Sequence, residues 1–131
     1  MQKILLDTNF LLIPAQFKVD IFSEIERIYS FSYKLFILDK TTEELKDIME
    51  NQKGKNKAAA KLALKLIAIK KINILKTAKD IHTDTLIAEI AEKGYVVATQ
   101  DKELKRALKS KNVPIITLRQ RKYLILSEGK L

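Results

Sequence analysis

Short apolar runs recur along this chain with helix-patterned stretches between them: KILL at 3–6, LFIL at 35–38, INIL starting at Ile72, YVVAT at 95–99 and PIITL at 114–118. Strands that are apolar on both faces are covered on both sides, and their alternation with helices calls for crossovers between parallel strands. The expected fold is α/β, with a mostly parallel central sheet. The segments between the runs carry helical periodicity: VDIFSEIERIYS at 19–30, TEELKDIME at 42–50, AAAKLALKLIAIKK at 58–71, DTLIAEIAEK at 84–93, stopped by Gly94, and residues 102–111. NQKGKNK at 51–57 reads as a basic loop, and YLIL at 123–126 as an edge strand. At 131 residues, 47% of them apolar, the chain has room for one domain, residues 1–131, and none for a second.

A parallel sheet directs the C-terminal ends of its strands to one edge, and ligands bind there, where the strand order switches direction. Asp7 follows the first strand directly, inside the apolar stretch KILLDTNFLL, where a charge is costly unless something offsets it. Glu44 lies just inside the helix after the second strand, Asp84 starts the helix after INIL, and Asp101 stands two residues past YVVAT. All four acids map to the same edge. Together they repel one another unless a cation joins them, and hard divalent cations such as Mg²⁺ or Mn²⁺ take oxygen ligands of this kind. Simpler readings compete with this one. TTEE at 41–44 has the form of a capping box, with Thr41 as N-cap and Glu44 reaching back, and Asp84 and Asp101 fit as plain N-caps. Asp7 caps nothing visible in the sequence.

Composition removes several chemistries. There is no cysteine, so disulfides, thiolate metal sites and cysteine nucleophiles are out. The single histidine, His82, reads as a loop residue and excludes a ribonuclease mechanism built on two histidines. Three glycines are too few for a phosphate-binding glycine loop, and Asn9 stands where an Asp-x-Asp phosphatase needs its second acid. The lack of cysteine, of an export signal and of an apolar stretch long enough to span a membrane leads to a cytoplasmic expectation. The net charge of +9 is unevenly spread: residues 51–76 hold eight lysines and no acid, and residues 102–131 hold nine Lys or Arg against two Glu. Positive charge set apart from a group of acids suits a polyanion gripped at the borders of an acidic site. The RQRK run at 119–122 also suits protection of an exposed edge strand.

The pieces LLDTNFLL, Glu44-Leu45 opening a helix, DTLIAEIAEKG and VVATQDKELKRAL closely resemble the PIN-domain ribonucleases, and VPIITLRQRKYLIL resembles the closing strands of small archaeal members. The resemblance covers nearly the whole chain. It implies a three-layer α/β/α sandwich and a metal-dependent endonuclease that cuts RNA, leaving 5′-phosphate and 3′-hydroxyl ends. By the same resemblance Asp7, Glu44, Asp84 and Asp101 are catalytic acids and ligands of Mg²⁺ or Mn²⁺, and Asn9 and Thr99 shape the site. Lys53, Lys55, Lys57, Lys102, Lys105, Arg106, Arg119 and Arg121 are then candidates to track RNA phosphates. Two positions depart from the pattern: Gln100 stands where many relatives have Asn, and Thr83 where many have a further acid, for which Asp80 is a nearby replacement. The family includes VapC-type toxins, which pair with an inhibitory antitoxin, and nucleases that process ribosomal RNA. The closing LRQRKYLIL segment leans toward the processing branch, where a ribosome-assembly partner is expected. A homodimer is a further implication of the resemblance. A non-catalytic RNA-binding or scaffold PIN module is the alternative reading.

Overall fold

The computed structural model describes residues 1–30, 32–77 and 81–128. Asp80, the replacement acid considered above, lies outside the described residues. Six strands form one sheet: β1 (Gln2–Leu6), β2 (Tyr33–Leu38), β3 (Asn73–Leu75), β4 (Tyr95–Ala98), β5 (Ile115–Arg119) and β6 (Tyr123–Ser127). Their order is β3-β2-β1-β4-β5-β6, parallel throughout except for the antiparallel β5–β6 pair. The chain builds outward from β1 to β3 and then crosses back to place β4 on β1's free side. The strand order therefore switches between β1 and β4.

Strand periodicity sorts side chains onto two faces, each with its own core. Ile4 and Leu6 of β1, Val96 and Ala98 of β4 and Ile116 of β5 face one side, where they meet α1 (Thr8–Leu11), α2 (Ile13–Phe17), α3 (Ile21–Ile28), α4 (Asp39–Asn51) and α5 (Gly54–Ile69). Leu5, Tyr95, Val97 and Ile115 face the other side, against Leu86, Ile87 and Ala91 of α6 (Thr83–Ala91) and Leu104 and Leu108 of α7 (Lys102–Ser110). This is the three-layer α/β/α sandwich, with a mostly parallel sheet as its middle layer.

Several boundaries differ from the sequence expectations, each for a local reason. The helix expected over 19–30 is confined to α3, which Asp20 caps by accepting hydrogen bonds from the backbone N–H groups of Phe22 and Ser23. Residues 8–17 hold α1 and α2, pieces too short to show a helical period, separated at Leu12 with Pro14 in the first turn of the second. The basic loop shrinks to Gln52 and Lys53, both extended, followed by Gly54 at φ +65°. Lys55 and Lys57 therefore stand on the first turn of α5 rather than in a loop. Residues 120–122 of the RQRK run form the β5–β6 turn. Gln120 and Arg121 both have positive φ there, and the Lys122 N–H donates to the Arg119 carbonyl at 3.1 Å, the geometry of a tight hairpin turn. These charges tip a hairpin instead of lining an edge strand.

β4 and β5 pair at Val97↔Ile115 and Ala98↔Ile116, with the Val97 N–H on the Pro114 carbonyl and the Thr99 N–H on the Ile116 carbonyl, each at 3.1 Å. Beyond that point the side chain of Gln100 continues the ladder. Its Oε1 accepts from the Leu118 N–H and from the Thr117 hydroxyl, each at 2.7 Å. Gln100→Leu leaves that half-buried N–H without an acceptor and is expected to cost about 1–3 kcal/mol. A thermal melt beside wild type measures this, and an unchanged midpoint would show that water replaces the amide at no cost.

Candidate active site

The ends of β1 and β4, side by side at the switch in strand order, position the first acid. The Asp7 N–H donates to the Ala98 carbonyl at 2.9 Å, extending the β1–β4 pairing one residue past the strands. Asp7 then turns the chain as the N-cap of α1, its Oδ1 accepting the Thr8 N–H at 2.9 Å. A cap role does exist for Asp7, on a helix of four residues that the sequence did not reveal. The other carboxylate oxygen, Oδ2, accepts the Thr99 hydroxyl at 2.8 Å. Thr99 is fully buried, and its Oγ1 accepts in turn the Asp101 N–H at 3.1 Å. One hydroxyl thus connects the first and last acids of the set.

Glu44 is held from the same corner. Thr8 Oγ1 stands 2.5 Å from Glu44 Oε1 and 3.0 Å from Thr41 Oγ1. A hydroxyl carries one proton and a carboxylate only accepts, so Thr8 donates to Glu44 and receives the Thr41 hydroxyl. The expected capping box does not form. α4 begins at Asp39, two residues ahead of Thr41, because the Asp39 carboxylate receives the Thr77 N–H at 3.1 Å, the Thr77 hydroxyl at 2.6 Å and the Lys40 N–H at 2.9 Å. The Thr77 hydrogen bonds hold the Asp39 carboxyl below its ordinary range. Glu44 therefore sits past the first turn, free of capping, and turns toward Thr8.

Asp84 is also not an N-cap. His82 caps α6, its Nδ1 accepting the Asp84 N–H at 3.3 Å, and leaves Asp84 at the second helical position. Asp101 does cap: it is the N-cap of α7, and its Oδ1 accepts the Leu104 N–H at 2.8 Å. For Asp101 the structural and functional readings coexist, because one carboxylate oxygen serves the helix.

These groups line one open cleft of about 370 Å³: Asp7, Thr8, Asn9, Glu44, Asp47, Ile48, His82, Thr83, Asp84 and Asp101. All four predicted acids and Asn9 reach it, and Thr99 lies buried beneath. Asp47 and His82 join the lining without having been singled out. Asp47 lies three residues after Glu44 on α4, and that helical spacing was the available signal. His82, read as a loop residue, does stand outside the helix, with extended backbone, and caps α6 at the cleft wall. Burial, at 8% exposure, pushes the Asp7 carboxyl above its ordinary value. Hydrogen bonds from Thr99 and Thr8 oppose the rise, and the charges of Asp84 and Glu44 add to it. The carboxylates thus share a field. Among the described residues no three Asp, Glu or His side chains are placed to hold a metal ion as they stand. Like charges repel, and hydrogen bonds of their own hold Asp7, Glu44 and Asp101. The donors are chiefly carboxylate oxygens, the kind that suits Mg²⁺ or Mn²⁺.

The raised Asp7 pKa has a definite sign in stability. The folded state binds the proton more tightly than the unfolded chain, so this group's contribution declines as pH rises from the unfolded carboxylate range through the folded value. Asp7→Asn is therefore expected to raise the melting temperature of the chelated protein at pH 7, with the gain shrinking toward zero as the pH is lowered to that range. A melting temperature below wild type at pH 7 would mean that the Thr8 and Thr99 hydrogen bonds outweigh the burial.

The model of the PIN like domain family matches residues 4–121. Ribonuclease VapC4 of Methanocaldococcus jannaschii is 38% identical over 127 residues, covering 94% of this chain and 95% of that protein. Ribonuclease VapC9 of Archaeoglobus fulgidus is 33% identical over 117 residues, covering 88% and 82%. Among solved structures, the PIN domain endonuclease Utp24 superposes with a TM-score of 0.79 at 22% identity, over 96% of this chain and 91% of that one. VapBC2 from Rickettsia felis, bound to a DNA fragment from its promoter, gives a TM-score of 0.62 at 17% identity, over 88% and 98%. Matched over most of its length by the family model and by two relatives above 30% identity, the chain belongs to the PIN-like domain family.

Proposed function

We propose that this chain, acting as a single domain over residues 1–131, is a divalent-metal-dependent endoribonuclease whose centre is the cleft formed by Asp7, Glu44, Asp84 and Asp101. One observation carries the reading: acids from four separate parts of the chain line one cleft at the switch in strand order, and the buried Asp7 feels two of the others. The relatives named ribonucleases support RNA as the substrate.

The four carboxylates are the proposed ligands of Mg²⁺ or Mn²⁺. Bound there, such an ion makes water a stronger nucleophile and offsets negative charge at the phosphate under attack. The chain's own part is positioning. Thr99 and the Thr8 N–H hold both oxygens of Asp7, Thr8 aims Glu44, and the α7 backbone fixes Asp101. These bonds orient Asp7, Glu44 and Asp101, and drawing the four carboxylates together around an ion is left to the binding step. Asn9, exposed on α1, offers an amide to the substrate at the cleft wall.

A toxin-type role with an antitoxin partner is favoured over ribosomal-RNA processing, because the relatives above 30% identity carry VapC names while the Utp24 likeness is one of fold. A groove of about 410 Å³, lined by Pro14, Val19, Phe22, Leu62 and Leu66 with Lys18, Asp20 and Lys70 at its margin, offers apolar surface for such a partner. A cytoplasmic place of action belongs to this reading; no helix among the described residues is long and apolar enough to cross a membrane.

The test is cleavage of single-stranded RNA by wild type and Asp7→Asn with Mn²⁺, with Mg²⁺ and with EDTA. Wild type is expected to cut with either metal and not with EDTA, and the variant to lose at least about a hundredfold in rate. RNA bound but left uncut by both proteins under every condition would favour the scaffold alternative.

A further inference from the structure

α7 starts at the acidic cleft, since Asp101 both lines the cleft and caps the helix. Its sequence, KELKRALKS, buries Leu104 and Leu108. At about 100° per residue, Lys102, Lys105, Arg106 and Lys109 fall within about 100° of arc on the side away from those leucines, and Glu103 falls on the opposite flank. Lys105 is the half-buried member. Burial depresses its pKa, and the nearby charges of Lys109, Lys102 and Arg119 add to this against an opposing pull from Asp101. Arg119 closes β5, which runs parallel to β4, so its end and the β5–β6 turn lie at the same sheet edge as the cleft. The two ion pairs present among the described residues, Arg27–Glu24 and Lys111–Glu92, leave these cations out. The molecule thus sets a group of mutually repelling cations beside a group of mutually repelling acids.

We propose that Lys102, Lys105, Arg106 and Lys109 of α7, with Arg119, form the track along which the sugar–phosphate backbone of single-stranded RNA leaves the acidic cleft. The lysines at the α4–α5 joint, Lys53, Lys55 and Lys57, are secondary. The inference rests on the nuclease reading for the nature of the strand. The surface itself is argued from charge and placement. A phosphate chain is negative at every residue, so it relieves the repulsion among these cations. Its contacts go to the backbone and carry no base sequence. The α7 cations adjoin an acid of the site, whereas Lys53, Lys55 and Lys57 gather where α4 ends and α5 begins, beyond the α4 residues that line the cleft.

The test measures binding of a short fluorescein-labelled single-stranded oligoribonucleotide by anisotropy, with EDTA present and on an Asp7→Asn background so that cleavage plays no part. Lys105→Gln/Lys109→Gln is expected to weaken binding about tenfold near physiological salt and to lower the slope of log affinity against log salt by about 1.4, two phosphate contacts' worth. Lys53→Gln/Lys55→Gln/Lys57→Gln is expected to change affinity by less than about twofold. Arg106→Gln/Lys109→Gln, both fully on the surface, repeats the test without touching the half-buried lysine, and the same loss is expected. Equal loss in the two groups, loss confined to the Lys53 group, or no binding by the background protein overturns the track. Restoring Asp7 separates this from the nuclease reading. Cleavage by Lys105→Gln/Lys109→Gln with raised KM and unchanged kcat supports the track, and an absence of metal-dependent cleavage in wild type overturns the nuclease reading without altering the binding comparison.

Discussion

The buried hydroxyl of Thr99 is the contact on which the site is built. It donates to Asp7 at the end of β1 and accepts from the Asp101 backbone at the end of β4, while its own N–H completes the pairing with β5. A carboxylate at the end of an inner strand carries a desolvation cost, and this hydroxyl with the Thr8 N–H gives each oxygen of Asp7 a donor. Neighbouring threonines repeat the device one step outward, from Thr41 through Thr8 to Glu44. Asp7, Glu44 and Asp101 are therefore held by neutral hydroxyls and backbone amides. That arrangement orients the three without cancelling their charge, which the proposed cation would offset.

Charge is sorted at a larger scale too. The sheet edge that collects the acids also carries the start of α7 and the β5–β6 turn, both rich in Lys and Arg. A phosphodiester strand combines a scissile group in need of positive charge with flanking phosphates in need of the same. On the proposed reading, a cleft that takes up a cation, bordered by a helix that supplies fixed ones, answers both needs. On the same reading, the strongly positive net charge marks where an RNA strand would run.

Much of this architecture was legible in the chain. Runs such as YVVAT announce strands buried on both faces, and Leu5 packing opposite Ile4 and Leu6 shows why no polar residue interrupts them. The acids after the strands were legible for the same reason, because a parallel sheet turns a position in sequence into a place at one edge. What was hidden depended on partners distant in sequence. TTEE carries the pattern of a capping box, yet Thr77, far along the chain, claims Asp39 and starts the helix earlier. α1 and α2 are too brief to print a period, so the cap made by Asp7 could not be seen. His82 gave no local sign that it would cap α6 at the cleft wall. Gln100, a departure from the family pattern in sequence, turns out to serve as the surrogate end of a strand pairing.

The central claim is that Asp7 is kept in its buried position to bind a divalent cation together with its neighbours. Calorimetric titration of Mn²⁺ into chelator-stripped protein at mildly acidic pH, in buffers of different ionisation enthalpy, tests it directly. The account predicts saturable binding, with proton release to the extent that burial keeps Asp7 protonated, and a loss of affinity in Asp7→Asn. Equal binding by the two proteins, or none by wild type, would contradict it.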